Sequence, residues 1–296
     1  MRNLDLDALA IFKAVAEEGT VTRAAARLHR VQSNVTTRVK QLEEQLGTSL
    51  FLRHNRGFAL TSEGRLLLAY AERMLQLSSE AQAVLRDGTP RGSFQLGTLE
   101  STAATRLPPL LSRFHLKYPD LHIELVTGTS GALVSRIFDH QLEAAFVAEP
   151  FARDGLEHQH AFDEELVLIT PKSFPPIKTA RDIGSSSVIA FPTGCSYRKR
   201  LESWLSRAQL APDRVSEFAS YHAILACVAA GAGIAVVTRA LMQTIDNGEI
   251  KVYSLPASIA RARTMLIWRR GHSSIALDAF RREIGELQRK PILRSS

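Results

Sequence analysis

Thr20-Val21-Thr22-Arg23-Ala24-Ala25-Ala26-Arg27-Leu28-His29-Arg30-Val31-Gln32-Ser33-Asn34-Val35-Thr36-Thr37-Arg38-Val39-Lys40-Gln41-Leu42-Glu43-Glu44-Gln45-Leu46-Gly47 is the stretch that decides the fold. Thr20 is placed to cap a short helix running through Thr22 to Leu28, since a hydroxyl there can accept from an unpaired first-turn amide. His29 to Gln32 then turns the chain into a second helix, Ser33 to Leu46, which Gly47 ends. Val35, Val39, Leu42 and Leu46 recur at spacings of 4, 3 and 4, which is one apolar helix face. The rest of that helix carries Gln32, Ser33, Asn34, Thr36, Thr37 and Lys40, with Arg38 flanking, and Thr22, Arg23 and Arg30 precede it. Short polar groups mixed with cations are what reads base edges and phosphates in a major groove.

A merely solvated amphipathic helix pair has the same periodicity, so local charge has to separate the two readings. Between Thr20 and Leu60 stand Arg23, Arg27, Arg30, Arg38, Lys40, Arg53 and Arg56 against only Glu43 and Glu44. Such an excess is the footprint of phosphate contact. Ser49-Leu50-Phe51-Leu52 and Phe58-Ala59-Leu60 flank the basic tip Arg53-His54-Asn55-Arg56-Gly57, which makes a wing of two short strands.

The chain has 296 residues, enough for two or three units, with 45% hydrophobic and 23% charged residues and a net charge of +7. No apolar run approaches the ~20 residues needed to span a bilayer, and Met1-Arg2-Asn3-Leu4-Asp5 lacks a signal peptide's apolar core. Two cysteines, Cys195 and Cys227, are too few for a disulfide framework. A cytoplasmic protein with no membrane partner is expected. A second basic segment covers the last 36 residues and reads as a solvated helix and tail.

Leu66 to Arg86 contains neither Gly nor Pro and is rich in helix formers. Leu67, Tyr70, Met74, Leu77, Ala81 and Val84 fall at spacings of 3, 4, 3, 4 and 3, a heptad seam suited to self-association. Asp87 to Gly92 ends this helix and supplies a hinge. From Ser93 onward, strands alternate with helices, which predicts an α/β architecture with mainly parallel sheets.

Two turns in that region run from a strand into a helix: Leu99-Glu100-Ser101-Thr102 and Pro192-Thr193-Gly194-Cys195-Ser196-Tyr197-Arg198. Helix starts expose unpaired amides and a partial positive charge, so each is an anion site. Ser101, Thr102, Thr193 and Ser196 can add hydroxyls and Arg198 a formal charge, with Thr129 in Thr127-Gly128-Thr129-Ser130 a weaker contributor. The same residues can equally be plain caps. Cys195, at a helix start beside Arg198, Lys199 and Arg200, is expected to have a lowered pKa, as a redox sensor needs. Gly231-Ala232-Gly233 lies between a helix and a strand, the wrong order for a dinucleotide loop. No nucleophile elbow, phosphate loop, zinc spacing or paired-carboxylate motif is present, so neither catalysis nor a metal or other cofactor is expected.

The N-terminal segment resembles the DNA-binding domain of LysR-type transcriptional regulators. The resemblance is carried by Leu9-Ala10-Ile11-Phe12, Val15 to Thr20, Ala24 to Leu28, Leu42 to Gly47, Thr48 to Arg53 and Leu60 to Gly64. It departs at Gln32-Ser33-Asn34-Val35-Thr36, where many members have a Pro and a second Ser, so the operator sequence cannot be borrowed. Leu107 to Phe114, Tyr118 to Leu121 and Val228 to Val237 resemble the same family's effector domain, which is similar to periplasmic solute-binding proteins.

The resemblance implies an all-α winged helix-turn-helix at 1–61 and a linker, or dimerisation, helix and hinge at 62–91. A two-lobed α/β effector domain follows at 92–296, with lobe one at about 92–161 and 267–296 and lobe two at about 162–266. It implies a homodimer or tetramer on near-palindromic double-stranded DNA. A small effector is expected in the cleft, and the helix-start turns suggest an anionic, carboxylate-bearing metabolite. Ser101, Thr102, Thr129, Thr193, Cys195, Ser196 and Arg198 are its expected contacts. A thiol switch at Cys195 is the second reading, and an α/β enzyme a third that the missing motifs oppose.

Overall fold

Asp5 begins the first helix by accepting from the Asp7 amide at 3.2 Å, and Gly19 ends it in the left-handed region at φ 67°. In the computed structural model, which describes residues 4–54, 57–86, 88–244 and 248–289, this α1 spans Leu6–Glu18. It is followed by α2 (Val21–Arg27), α3 (Gln32–Leu46), β1 (Phe51–His54), β2 (Gly57–Leu60) and α4 (Ser62–Arg86). Thr20 caps α2 as its sequence position predicts, accepting from the Arg23 amide at 3.3 Å. Val35, Val39 and Leu42 of α3 are buried with Leu9, Phe12, Val15 and Ala24, whereas Leu46, expected on the same face, is exposed. The strands pair antiparallel from Phe51↔Leu60 to His54↔Gly57. Gly64 is required at the start of α4, because a Cβ there would meet the Leu50 carbonyl oxygen at 2.1 Å.

The heptad seam expected on α4 divides in the structure. Ala71 is buried and Leu67, Leu68, Met74 and Leu75 pack on the core of their own unit. Tyr70 and Leu77 stay exposed, at 51% and 66%, together with Leu66 and Leu85 at 63% and 86%. Ala81 is exposed too, and the side chain of Val84 lies outside the described residues. Leu67 and Met74 therefore face inward, onto the core of their own unit, and the outward row runs through Leu66, Tyr70, Leu77, Ala81 and Leu85.

The chain divides into two compact units, Met1–Gly92 and Ser93–Ser296. The second contains β3 (Gly92–Thr98), α5 (Glu100–Thr105), α6 (Leu107–Lys117), β4 (Leu121–Thr127), α7 (Ser130–Phe138), β5 (Ala144–Ala148) and β6 (Leu156–Pro171). After a 3-10 turn at Ala180–Ile183 come β7 (Val188–Ala190), α8 (Ser196–Arg207), β8 (Val215–Glu217), α9 (Tyr221–Ala229), β9 (Ala235–Thr238) and α10 (Arg239–Met242). The unit ends with β10 (Ile250–Ser254), α11 (Ala257–Ala260), β11 (Arg261–Arg269) and α12 (Ile275–Arg289).

Its main sheet has the order β10-β6-β11-β5-β3-β4, with β9 also on β6. β3 and β5 are parallel, as are β7 and β8. The sheet is nevertheless mixed rather than mainly parallel, because β6 pairs antiparallel with β9, β10 and β11, and β11 antiparallel with β5. Two strands that carry the chain out of one lobe and back must run in opposite directions. Leu156–Glu165 of β6 pairs with β11, and Leu166 onward pairs with β9 and β10. The change of lobe on β6 thus falls between Glu165 and Leu166, slightly beyond the expected 161/162. On β11 the pairing with β5 begins at Thr264, slightly before the expected 266/267.

Lobe one is built on Phe94, Leu107, Leu110, Phe114, Phe146, Trp268 and Phe280, and lobe two on Ile189, Tyr221, Leu225, Val228 and Val237. α12 is not the solvated helix expected from its charge. Leu277, Phe280 and Ile284 are buried in lobe one, and Glu283, 3% exposed, accepts from Arg113 at 2.8 Å and from Lys117.

Candidate functional site

The recognition surface is the open side of α3. Gln32, Ser33, Asn34, Thr36, Thr37, Arg38 and Lys40 are exposed while Val35 and Val39 anchor the helix, and Thr22 is exposed on α2. No side chain caps the start of α3 at Val31, which leaves its first amides available to an incoming phosphate. Thr36 donates to the Gln32 carbonyl at 2.9 Å. Glu43 fixes the wing by accepting from the Leu50 and Phe51 amides at 2.8 and 3.3 Å, and the Phe58 amide donates to the Gly19 carbonyl at 2.8 Å. Between helix and wing runs a groove lined by Thr36, Lys40, Phe51 and Phe58. Arg53 lies on β1 with its side chain outside the described residues, and Arg56 lies outside them altogether.

The basic cluster has internal counter-charges that the window from Thr20 to Leu60 did not include. Arg30 donates to both Asp7 oxygens at 2.6 and 2.9 Å, and Arg38 approaches Asp5 at 4.0 Å. Arg23 meets Glu18, and Arg27 meets Glu17 and Glu18. Exposed pairs of this kind are worth about 0–1 kcal/mol each, so a phosphate can displace the acid at little cost.

In the second unit, the starts of α5, α7, α8 and α9 gather around a small cavity. Glu100, Thr129, Ser130, Phe191, Cys195, Ser196, Tyr197 and Tyr221 line it. Gly131 donates its amide to the Gly194 carbonyl at 3.2 Å, bringing backbone against backbone at one edge. Ser196 donates to the Ala148 carbonyl at 2.8 Å, and Ser130 accepts from the Ala148 amide at 3.1 Å. Glu100 reaches over α9 and accepts from the Tyr221 amide at 3.1 and 3.3 Å. Burial pushes the Glu100 carboxyl above the usual carboxylate range, opposed by the Tyr221 amide and by His222.

Of the expected ligand contacts, the structure brings Thr129, Cys195 and Ser196 to the cavity. Ser101 and Thr102 are buried with hydroxyls that have no hydrogen-bond partner, as are Tyr197 and Thr264. Thr193 is exposed and outside the lining. Arg198 is turned away: it donates to Glu202 at 2.6 Å, to the Phe191 carbonyl at 3.3 Å and to Glu217, and these acids raise its pKa. The formal charge expected in the cleft is thus spent on the surface of its own lobe. Arg200 donates instead to the carbonyls of Glu149, Ile259 and Arg261.

Cys195 reverses its expectation for a related reason. At 8% exposure, burial pushes its thiol up, and the Arg198 and Tyr197 amides and the Arg198 charge oppose that shift without overcoming it. Sequence reading missed Glu100, Tyr197 and Tyr221. Glu100 stands beside the quoted Ser101, but its partner Tyr221 is 121 positions away, a proximity only the fold supplies.

Residues 6–65 match the family model described as the bacterial regulatory helix-turn-helix protein, lysR family, and residues 87–289 match the LysR substrate binding domain. The chain belongs to the LysR family of transcriptional regulators. It is 38% identical to the HTH-type transcriptional regulator YusT of Bacillus subtilis (strain 168), over 88% of each chain. It is 35% identical to GltR of the same strain, over 90% of this chain and 91% of the relative. The LysR fold is shared with CbnR solved with its target DNA, at TM-score 0.68 and 24% identity over 96% and 99% of the two chains. A full-length OxyR from Pseudomonas aeruginosa gives TM-score 0.71 at 21% identity, over 96% and 95%. This LysR-type protein is a DNA-binding regulator with an effector-binding domain, and not an enzyme. Among the described residues, no helix is long and apolar enough to cross a membrane, and no cluster of three or more potential metal ligands occurs.

Proposed function

We propose that α3 enters the major groove with Gln32, Ser33, Asn34, Thr36 and Thr37 toward the bases. Thr22, Arg23, Arg30, Arg38, Lys40, Arg53 and Arg56 then hold the flanking phosphates or the minor groove. The carrying observation is the helix itself, with a buried apolar row, an exposed polar row and an uncapped N-terminus. The functional division is a head at 1–61, a pairing helix at 62–91 and a ligand module at 92–296. The exposed row of α4 pairs two subunits, two heads meet two half-sites, and a small effector in the second unit's cavity resets them. CbnR, solved on its target DNA, supports the same use of the head. The site of action is wherever the DNA is, which for this regulator is the cytoplasm.

The carboxylate-bearing effector expected from sequence rests on Arg198 and the helix starts together. With Arg198 held by Glu202 and Glu217, only the partial charges of the helix starts support it. The thiol-switch alternative gains no support from a buried Cys195.

Footprinting the DNA beside the chain's own gene, and measuring binding to any segment it protects, tests the head. Arg53→Ala is expected to weaken binding to all sequences alike and to flatten the salt dependence by about one unit of slope, whereas Gln32→Ala changes the preferred sequence. An Arg53→Ala protein with unchanged affinity and slope would remove the wing from the interface.

A further inference from the structure

We propose that Glu100 sets the charge class of the ligand: the cavity takes a small molecule presenting an amine or amide on a compact apolar body, and turns carboxylates away. This deepens the reading of the cavity as the effector site and rests on it.

The first amide of α9 is the donor an anionic ligand would seek, and it is already occupied by the two Glu100 oxygens. Among the described lining residues there is no Lys, Arg or His. The nearby guanidinium groups are also committed. Arg106 is held by Glu164 in a two-point pair at 2.8 and 3.0 Å, Arg198 by Glu202 and Glu217, and Arg200 by backbone carbonyls.

Ser130 and Ser196 direct their hydroxyls at the Ala148 backbone, so neither is free to serve as a donor to a carboxylate. Glu100 offers the cavity a carboxylate with lone pairs to spare. A second carboxylate would enter a largely desolvated space already holding one negative charge, where like charges repel strongly. An ammonium or amide N–H would instead find Glu100, and the Phe191 and Tyr221 rings, 4.5 Å apart, would receive the apolar part.

Benzylamine, benzamide and benzoate are matched probes, differing mainly at the polar end. Titrated into the full-length protein and followed by thermal shift, benzylamine and benzamide are expected to raise the melting temperature and benzoate to leave it unmoved. In Glu100→Gln, which keeps an oxygen for the Tyr221 amide, affinity for benzylamine should fall about tenfold or more while benzamide changes little, as expected when a charged acceptor becomes neutral. DNA binding by the same sample reports that the variant is folded. Benzoate binding as well as benzylamine to the parent protein overturns the proposal. So does an unchanged amine-to-amide ratio in Glu100→Gln, or no response to either donor probe. Thr129→Trp, which fills the cavity, separates the two levels: a benzylamine shift that survives it places the ligand elsewhere and overturns the cavity reading itself.

Discussion

Arg30 holds both oxygens of Asp7, and Arg38 leans toward Asp5, so the cations nearest the recognition helix carry their own counterions. Phosphate must therefore replace an acid rather than only a mobile salt ion, and the affinity of the head is tempered accordingly. Asp7→Asn frees Arg30 and leaves the helix cap, which belongs to Asp5, in place. The expected result is DNA binding several-fold tighter with a steeper salt dependence, by up to about one unit of slope. Unaltered binding in a titration from low to moderate salt would mean that Arg30 stays with the α1 acids in the complex. Arg198 and Cys195 illustrate the same physics in the second unit. Their sequence neighbours suggested a cationic, reactive corner, but Glu217 from β8 removes the charge and packing against lobe two removes the water. Charge runs were legible in the sequence, and the acids that answer them from distant elements were not.

α4 has two apolar rows, one closing the head and one left outward, and only the second is available to another subunit. Leu77 is on the outward row. Leu77→Asp should therefore leave the head folded but place an unpaired carboxylate in the subunit seam, at a cost of several kcal/mol. Light scattering is expected to show loss of pairing, with DNA affinity falling through the lost second half-site. A fully assembled mutant would assign the outward row another role. At this scale the sequence was informative wherever an element's own periodicity settles it: α2, α3 and α4 follow from capping residues and 3–4 spacing. It was uninformative where the element is defined by a partner. β11 and α12 read as a basic tail because the features that bury them, Trp268 against β6 and Glu283 between Arg113 and Lys117, are long-range. Glu43 likewise looks like a surface acid until β1 is laid beside it.

For the whole molecule, acid stability follows from how the buried carboxylates are held. Burial alone would raise Glu283, but Lys117 and Arg113 outweigh it and keep its carboxyl below the usual range. Such a group contributes stability above the unfolded carboxylate pKa of about 4.3, and that contribution is lost as pH falls through the lower folded value. Glu100, held above the range, acts with the opposite sign. Glu283→Gln should cost about 1–3 kcal/mol at neutral pH, with the difference from the parent protein shrinking as both are titrated below about pH 4. A difference independent of pH in denaturant unfolding would assign the loss to packing alone. One further consequence lies in β6, whose first part, Leu156 to Glu165, runs along β11 and whose remainder pairs with β9 and β10. Because that strand is shared property, a recombination library has one clean seam, beside Gly92. Heads can be exchanged between relatives, whereas a chimera that takes its lobes from two parents inherits a single strand cut in two.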